Sequence, residues 1–238
     1  MSPRTSSLHV VVLKAERFYG ELICERIRSH WRKAQVQVFQ RGLEALRTMQ
    51  SRVPDLLVVG VRIFDMDGLE HLEPFIRRDL PVLIVTSCRD ERSFALLRAV
   101  RYDGLYDTTA EGMDNFSSAL EQALNHRTYV SPTFLPLINP PEDCAAIRLT
   151  ETEQRVLSII GEGADDQEAA ARFGLSSHTI NTHRKKIMSK LHVHQKGELI
   201  RYALHKGYVH FTADKIYRPG FQRCLDQGNG KGNGPANT

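Results

Sequence analysis

The chain has 238 residues, of which 41% are hydrophobic and 25% are charged, and its formal net charge is +4. This length is enough for two domains of roughly 100–150 residues, and the apolar fraction excludes a disordered chain. No apolar run reaches the ~18–20 residues of a membrane span, and Met1–His9 lacks the basic-then-apolar order of a secretory signal. We therefore expect a cytoplasmic protein.

Cysteine and histidine spacing argues against a metal site. The four cysteines form no CxxC pair, and the tempting pair His192 and His194 has no cysteine or carboxylate cluster beside it. A structural zinc site needs closely spaced ligand pairs. We expect free thiols in a reducing compartment, no metal and no cofactor.

Residues 1–125 alternate short apolar runs with amphipathic stretches. Near-continuous apolar strands separated by helices predict a parallel sheet that is covered on both faces. The predicted fold is a doubly wound α/β domain with a five-stranded parallel sheet, in which chemistry is expected at the carboxyl ends of the strands. The predicted strands are Val10–Leu13, Val36–Phe39, Leu56–Val59, Val82–Val85 and the weaker Gly104–Tyr106. The predicted helices are Phe18–His30, Leu43–Gln50, Leu69–Arg77, Ser93–Val100 and Asn115–Leu124.

Residues 126–147 contain four prolines and predict a semi-rigid linker. From residue 148 to 210 the patterns are helical only. Thr150-x-x-Glu153 and Asp165-x-x-Glu168 are capping boxes, a third helix starts at Ser176 or Ser177, and a fourth spans Lys196–Lys206. The tail, 211–238, is rich in Gly and Asn towards its end, and we expect it to be largely disordered.

The third helix of this all-α module has the faces of a DNA-reading helix. Two short helices joined by the tight turn Gly174–Ser176 are typical of a helix-turn-helix. The apolar stripe of the third helix faces the core, whereas the opposite face carries basic and short polar groups and no acids. Such a face suits the major groove of double-stranded DNA, where lysine and arginine neutralise phosphates and Asn and Lys read base edges. The alternative is that this charged face is merely exposed to solvent. Here, however, the basic side lies on the helix that directly follows the predicted turn, which favours DNA binding.

The motifs of this module resemble the LuxR-type helix-turn-helix. They are Leu149–Leu157, Gly161–Gly163, Thr179–His183 and Lys190–Leu191. The resemblance implies DNA binding as a dimer through the third helix, with the fourth helix as the dimer contact. It implies base contacts by Asn181, Thr182 and Lys185, and phosphate contacts by Thr179, Arg184 and Lys186. Asn181 replaces the lysine that is common in the family, so the base preferred there stays open.

Residues 1–125 resemble the flavodoxin-like receiver domain of NarL/FixJ-type response regulators. The resemblance is carried by Asp55–Val59, Met66–Glu70 and Pro81–Thr86. In that family an acidic pair after strand one and an aspartate after strand three hold Mg²⁺. The aspartate accepts the phosphoryl group, and a lysine after strand five pairs with it. The chemistry requires hard carboxylate oxygens and compensating cations.

This chain lacks most of that chemistry. Lys14 and Ala15 stand at the acidic pair, Gly60 stands at the phospho-accepting aspartate, and no lysine occurs from Ala34 to Arg184. Of the pocket residues of that family, only Thr86 is present, and a threonine at the end of a strand is also explained as an ordinary cap. Asp65 and Asp67 lie on the following loop, displaced from the strand end. We therefore predict a degenerate phosphorylation pocket, in which the Lys14 ammonium either replaces the metal, beside Glu16 or over Gly60, or is simply solvated.

These features predict a DNA-binding transcription regulator that is a homodimer, has no enzymatic activity and is not controlled by aspartyl phosphorylation. A small-molecule ligand, a partner protein or simple abundance would then replace the phosphoryl signal. The alternative is a regulatory partner that forms a heterodimer with another, intact response regulator and modulates it. An enzyme or metal protein that uses the histidines or Cys88 is disfavoured, because no nucleophile–base arrangement is visible.

Overall fold

The computed structural model describes residues 7–63, 79–139, 149–211 and 216–217. The chain divides into two compact units, the first of residues 1–89 and 93–140 and the second of residues 90–92 and 141–238. The predicted helix Leu69–Arg77, the loop carboxylates Asp65 and Asp67 and most of the tail 211–238 lie outside the described residues. Within the described ranges, no helix is both long and apolar enough to cross a lipid bilayer.

The first unit is built on a parallel sheet of six strands in the order β2-β1-β3-β4-β5-β6. The strands are β1 (His9–Leu13), β2 (Gln35–Phe39), β3 (Leu56–Val59), β4 (Val82–Thr86), β5 (Gly104–Asp107) and β6 (Tyr129–Val130). Every neighbouring pair runs parallel. The predicted α/β sheet is confirmed, and its strand ends place Lys14, Gly60 and Thr86 on one edge.

Helices cover both faces of this sheet. They are α1 (Arg17–His30), α2 (Gly42–Ser51), α3 (Glu91–Ala99) and α4 (Met113–Leu124). Because side chains alternate along a strand, Val10 and Val12 pack on α1 and α4, whereas Val11 and Leu13 pack on α2 and α3. The central strands are therefore buried on both faces, as their continuous apolar runs predict.

The structure differs from the predicted linker at residues 126–139. Tyr129–Val130 adds the sixth strand at the sheet edge, and a 3₁₀ turn (Pro132–Phe134) leads into the short helix α5 (Leu135–Ile138). Phe134 is fully buried in the core that contains α2 and α3. The prolines predict a linker, but Pro132 is the first residue of the 3₁₀ turn. At that position the missing N–H of proline breaks no hydrogen bond. Residues 140–148 lie outside the described residues.

The second unit consists of helices and one short strand pair. Its helices are α6 (Glu151–Gly161), α7 (Asp166–Phe173), α8 (Ser177–Leu191) and α9 (Lys196–His205), and the antiparallel strands are β7 (His210–Phe211) and β8 (Ile216–Tyr217). Both predicted capping boxes are present, at Thr150 and at Asp165. The four predicted helices and their boundaries are confirmed to within a residue or two.

Helices α6 and α9 approach closely at Gly161. A Cβ built on Gly161 would lie 2.7 Å from the Cβ of Ala203 and 2.8 Å from Cγ2 of Val209. Only glycine fits this contact, since any side chain would push the two helices apart. The apolar core beneath it joins residues of all four helices, so it fixes the position of α8.

Candidate functional site

The turn between α7 and α8 has the geometry of a helix-turn-helix. Gly174 ends α7 with φ of +64°, a left-handed conformation that favours glycine. The N–H of Leu175 then donates to the carbonyl of Ala170 at 3.0 Å. Ser176 caps α8, and its hydroxyl accepts from the N–H of Thr179 at 3.1 Å. The turn therefore ends one helix and starts the next within three residues.

Helix α8 buries one face and exposes the other. Ile180, Ile187 and Leu191 are buried in the core of the second unit. Thr182, Lys185 and Lys186 are exposed, whereas Thr179, Asn181 and Arg184 are half-buried. Neither Lys185 nor Lys186 forms an ion pair with any described residue. The six predicted DNA-contacting residues thus lie on one helix, but three of them are exposed and three are half-buried.

Arg184 and Asn181 are both engaged by Asp166 of α7. Nε and Nη2 of Arg184 donate to Oδ1 and Oδ2 of Asp166 at 3.0 and 2.9 Å. Nδ2 of Asn181 donates to Oδ2 at 3.1 Å. Hydrogen bonds from Arg184, and then from Asn181, lower the pKa of Asp166 against the effect of burial. Sequence reasoning missed this cluster, because nothing in the spacing of residues 166, 181 and 184 indicates a shared contact.

Two further contacts hold α8 in place. The hydroxyl of Thr179 lies 2.8 Å from that of Ser176, so Thr179 belongs to the helix cap. At the other end, Lys190 Nζ donates to Glu153 Oε2 at 2.7 Å. Glu153 is buried, and its carboxylate also accepts from the N–H of Thr150 at 2.8 Å. Burial would raise the pKa of Glu153, but the hydrogen bonds from Lys190 and Thr150 outweigh it and lower the pKa.

The carboxyl edge of the sheet in the first unit is occupied by Lys14. Its ammonium pairs with Glu16 at 3.2 Å, and its side chain is only 15% exposed. A Cβ built on Gly60 would lie 3.1 Å from Cδ and 3.4 Å from Nζ of Lys14. The lysine therefore lies over the Gly60 backbone and beside Glu16 at once.

These residues do not fit a divalent cation. Lys14 brings a positive charge, whereas Ala15 and Gly60 bring no side-chain oxygen, and Mg²⁺ requires carboxylate ligands in an octahedral shell. Thr86 accepts a hydrogen bond from the N–H of Cys88 at 3.0 Å, which is an ordinary turn at a strand end.

The last residue of β5 is an acid. Asp107 is fully buried and pairs with Arg89. Burial would raise its pKa, but hydrogen bonds from Thr109 and Thr133 outweigh it and lower the pKa. Thr133 belongs to the 3₁₀ turn, and its hydroxyl donates to Oδ2 of Asp107 at 2.7 Å. This hydrogen bond connects residues 132–134 to the sheet. The acid is therefore part of the internal packing.

A cavity of about 390 Å³ opens beside Lys14. It lies between α1, the loop after β4 and the start of α4, and Tyr19, Leu22 and Met113 form part of its apolar wall. This volume is at the lower end of the range for small-molecule sites. Sequence reasoning did not predict it, because a cavity depends on how separate helices meet.

Fold and site together define a class of protein. A doubly wound parallel sheet is followed by four helices with a helix-turn-helix, and the second helix of that motif exposes a basic face without acids. This is the architecture of a DNA-binding regulator with an amino-terminal receiver-like unit.

Comparisons with known proteins agree with this class. Residues 148–203 match the family described as bacterial regulatory proteins, luxR family. The transcriptional regulatory protein MctR of Rhizobium johnstonii is 29% identical over 173 residues, which cover 71% of this chain and 79% of MctR. The response regulator protein VraR of Staphylococcus aureus is 25% identical over 173 residues, which cover 71% of this chain and 82% of VraR. A solved structure of two RcsB dimers bound to two parallel DNAs shares the fold with a TM-score of 0.52 and 18% identity, over 83% of this chain and 98% of that chain.

Residues 148–203 therefore form a LuxR-family helix-turn-helix domain. The chain therefore carries a DNA-binding domain of the luxR family, and over 71% of its length it is similar to proteins named as transcriptional and response regulators.

Proposed function

We propose that this regulator binds DNA as a dimer through α8 and acts without aspartyl phosphorylation. The exposed face of α8 carries the first part of the proposal, because Thr182, Lys185 and Lys186 project from it and α8 contains no acidic residue. In the major groove, Asn181, Thr182 and Lys185 contact bases, and Thr179 and Lys186 lie near phosphates. Asp166 takes Nε and one N–H of Nη2 of Arg184, so Arg184 reaches a phosphate through its remaining N–H groups.

Replacing Asn181 or Lys185 with alanine should relax base preference at one position of the site, at a cost of about 1–3 kcal/mol in binding free energy. Replacing Lys186 should instead weaken all sequences alike and reduce the salt slope by about one. Titration of a selected site and of mismatched sites at several salt concentrations measures both effects. Parent-like binding by both Asn181→Ala and Lys185→Ala would show that the groove assignment is wrong.

The geometry of Lys14 supports independence from phosphorylation. Its ammonium lies 3.4 Å from a Cβ built on Gly60, the residue that stands where the resembled family carries its phospho-accepting aspartate. A glycine offers no carboxylate to form an acyl phosphate. In this account the lysine holds the carboxyl edge of the sheet in one fixed conformation.

Lys14→Ala should lower the free energy of unfolding of the first unit by about 1 kcal/mol, because both an ion pair and the packing of the lysine stem on Gly60 are lost. Lys33→Ala is the matched control, since Lys33 is exposed and the change in charge is the same. Hydrogen exchange of the first unit in the full chain measures the difference. The idea fails if Lys14→Ala leaves stability, oligomeric state and DNA affinity unchanged.

A dimer places two recognition helices in successive major grooves, about one helical turn apart, so the DNA site should be an imperfect palindrome. RcsB, which shares this fold, has been solved as two dimers bound to two parallel DNAs. Genome-wide occupancy of the native protein tests motif, symmetry and target class together. A single unpaired half-site in the enriched motif would contradict the homodimer.

The alternative is a heterodimer with an intact response regulator, and a gel shift with the purified protein alone separates the two. Specific binding by the protein alone favours the homodimer. The cavity beside Lys14 gives a small-molecule ligand a place in either version, since its wall combines apolar and polar side chains.

A further inference from the structure

The hydrogen bonds of Asp166 determine which way the amide of Asn181 points. An ionised carboxylate only accepts hydrogen bonds, so the atom of Asn181 that faces Asp166 must be the amide nitrogen. Arg184 holds the carboxylate from the other side with two hydrogen bonds of 3.0 and 2.9 Å. The Asn181 side chain is thereby prevented from flipping by half a turn, which would set two oxygens against each other.

A fixed amide has a limited choice of base. One N–H of Asn181 is used by Asp166 at 3.1 Å, which leaves the amide oxygen and one N–H for the DNA. In the major groove adenine presents a donor, N6, and an acceptor, N7, whereas guanine presents two acceptors, O6 and N7. The remaining groups of Asn181 match adenine, and its oxygen would repel O6 of guanine.

We infer that Asp166 is a specificity-determining residue: by holding Nδ2 of Asn181, it selects adenine at the base pair that Asn181 contacts. This inference rests on the proposed binding of α8 in the major groove. Asp166 itself touches no base, and it acts through the orientation of its neighbour.

The variant that tests this is Asp166→Asn. An asparagine at 166 both donates and accepts, so either orientation of the Asn181 amide finds a partner there. Asp165→Asn is the matched control, because it removes the same charge one residue away. Asp165 caps α7 through Gln167 and Glu168, and asparagine caps a helix equally well.

The experiment is selection of bound duplexes from a random DNA library by the full-length wild type, Asp166→Asn, Asp165→Asn and Asn181→Ala, at one salt concentration. The wild type should enrich adenine at the position where Asn181→Ala loses its preference. Asp166→Asn should lower the adenine-to-guanine ratio there about tenfold, with the other positions unchanged. Asp165→Asn should retain the wild-type ratio.

A second measurement does not depend on any variant folding. Binding of the wild type to the selected site is compared with sites in which that adenine is replaced by 7-deazaadenine, which lacks the N7 acceptor, or by purine, which lacks the N6 donor. Each analogue should weaken binding by about fivefold or more.

The outcomes separate the two levels of the account. If Asn181→Ala changes no position of the motif, the groove assignment itself is wrong. If Asn181→Ala changes a position that carries guanine in the wild type, or if Asp166→Asn leaves an adenine preference intact, only the role of Asp166 is overturned. Insensitivity to both analogues overturns it as well.

Discussion

Phe134→Ala should lower the free energy of unfolding of the first unit by about 3–5 kcal/mol, the usual cost of removing a large buried aromatic side chain. Phe134 is fully buried, and its ring lies 5.1 Å from that of Phe94 of α3 in an edge-to-face contact. The loss combines the transfer of the ring to water with a cavity that the surrounding strands cannot close.

Hydrogen exchange of the full chain, followed peptide by peptide, measures this loss in β5 and β6. Leu135→Ala is the control, because Leu135 is the next residue and is 47% exposed. It should change stability by about 0.5 kcal/mol or less. Equal effects of the two substitutions would mean that residues 126–139 are the linker that the prolines suggest, and not part of the core.

The second large effect is expected at Glu153. Glu153→Ala should destabilise the second unit by about 3 kcal/mol, since it removes the carboxylate of a capping box and the buried partner of Lys190. Glu153→Gln should cost less, because glutamine still completes a capping box and only the charge is lost. Hydrogen exchange of α6 and α8 in the full chain reports both values.

The same residue predicts a pH dependence. Because the pKa of Glu153 is lower in the folded state, its contribution is fully present above the unfolded pKa of a glutamate, about 4.3. It is lost as the pH falls through the lower folded value. The difference between the wild type and Glu153→Gln should therefore shrink as the pH is lowered from 7 towards 3. A difference that stays constant over this range would contradict the assigned ion pair.

The regular elements could be predicted from the sequence because each has a local cause. The runs Leu56–Val59 and Val82–Thr86 form strands because they are continuous and apolar. The capping boxes at Thr150 and Asp165 each indicate the start of a helix within four residues of sequence. The sixth strand was missed because Tyr129–Val130 is only two residues long. This strand is stabilised by its pairing with β5, and no local sequence pattern predicts it.

The candidate site likewise combines features that have a local cause with features that depend on the fold. The exposed lysines of α8 follow from helical periodicity, which is a local property. The engagement of Asn181 and Arg184 by Asp166 depends on how α7 crosses α8, and this angle is set by the core beneath. Lys14 is intermediate, because its replacement of an acid is visible in the sequence, whereas its position over Gly60 requires the fold.

The measurement that tests the central claim most directly combines intact mass with DNA affinity. The full-length protein is incubated with Mg²⁺ and acetyl phosphate, and its mass and its dissociation constant for the selected site are compared with those of untreated protein. We expect the mass and the affinity to be unchanged. A stoichiometric gain of about 80 Da, the mass of one phosphoryl group, accompanied by a shift in DNA affinity, would contradict the account.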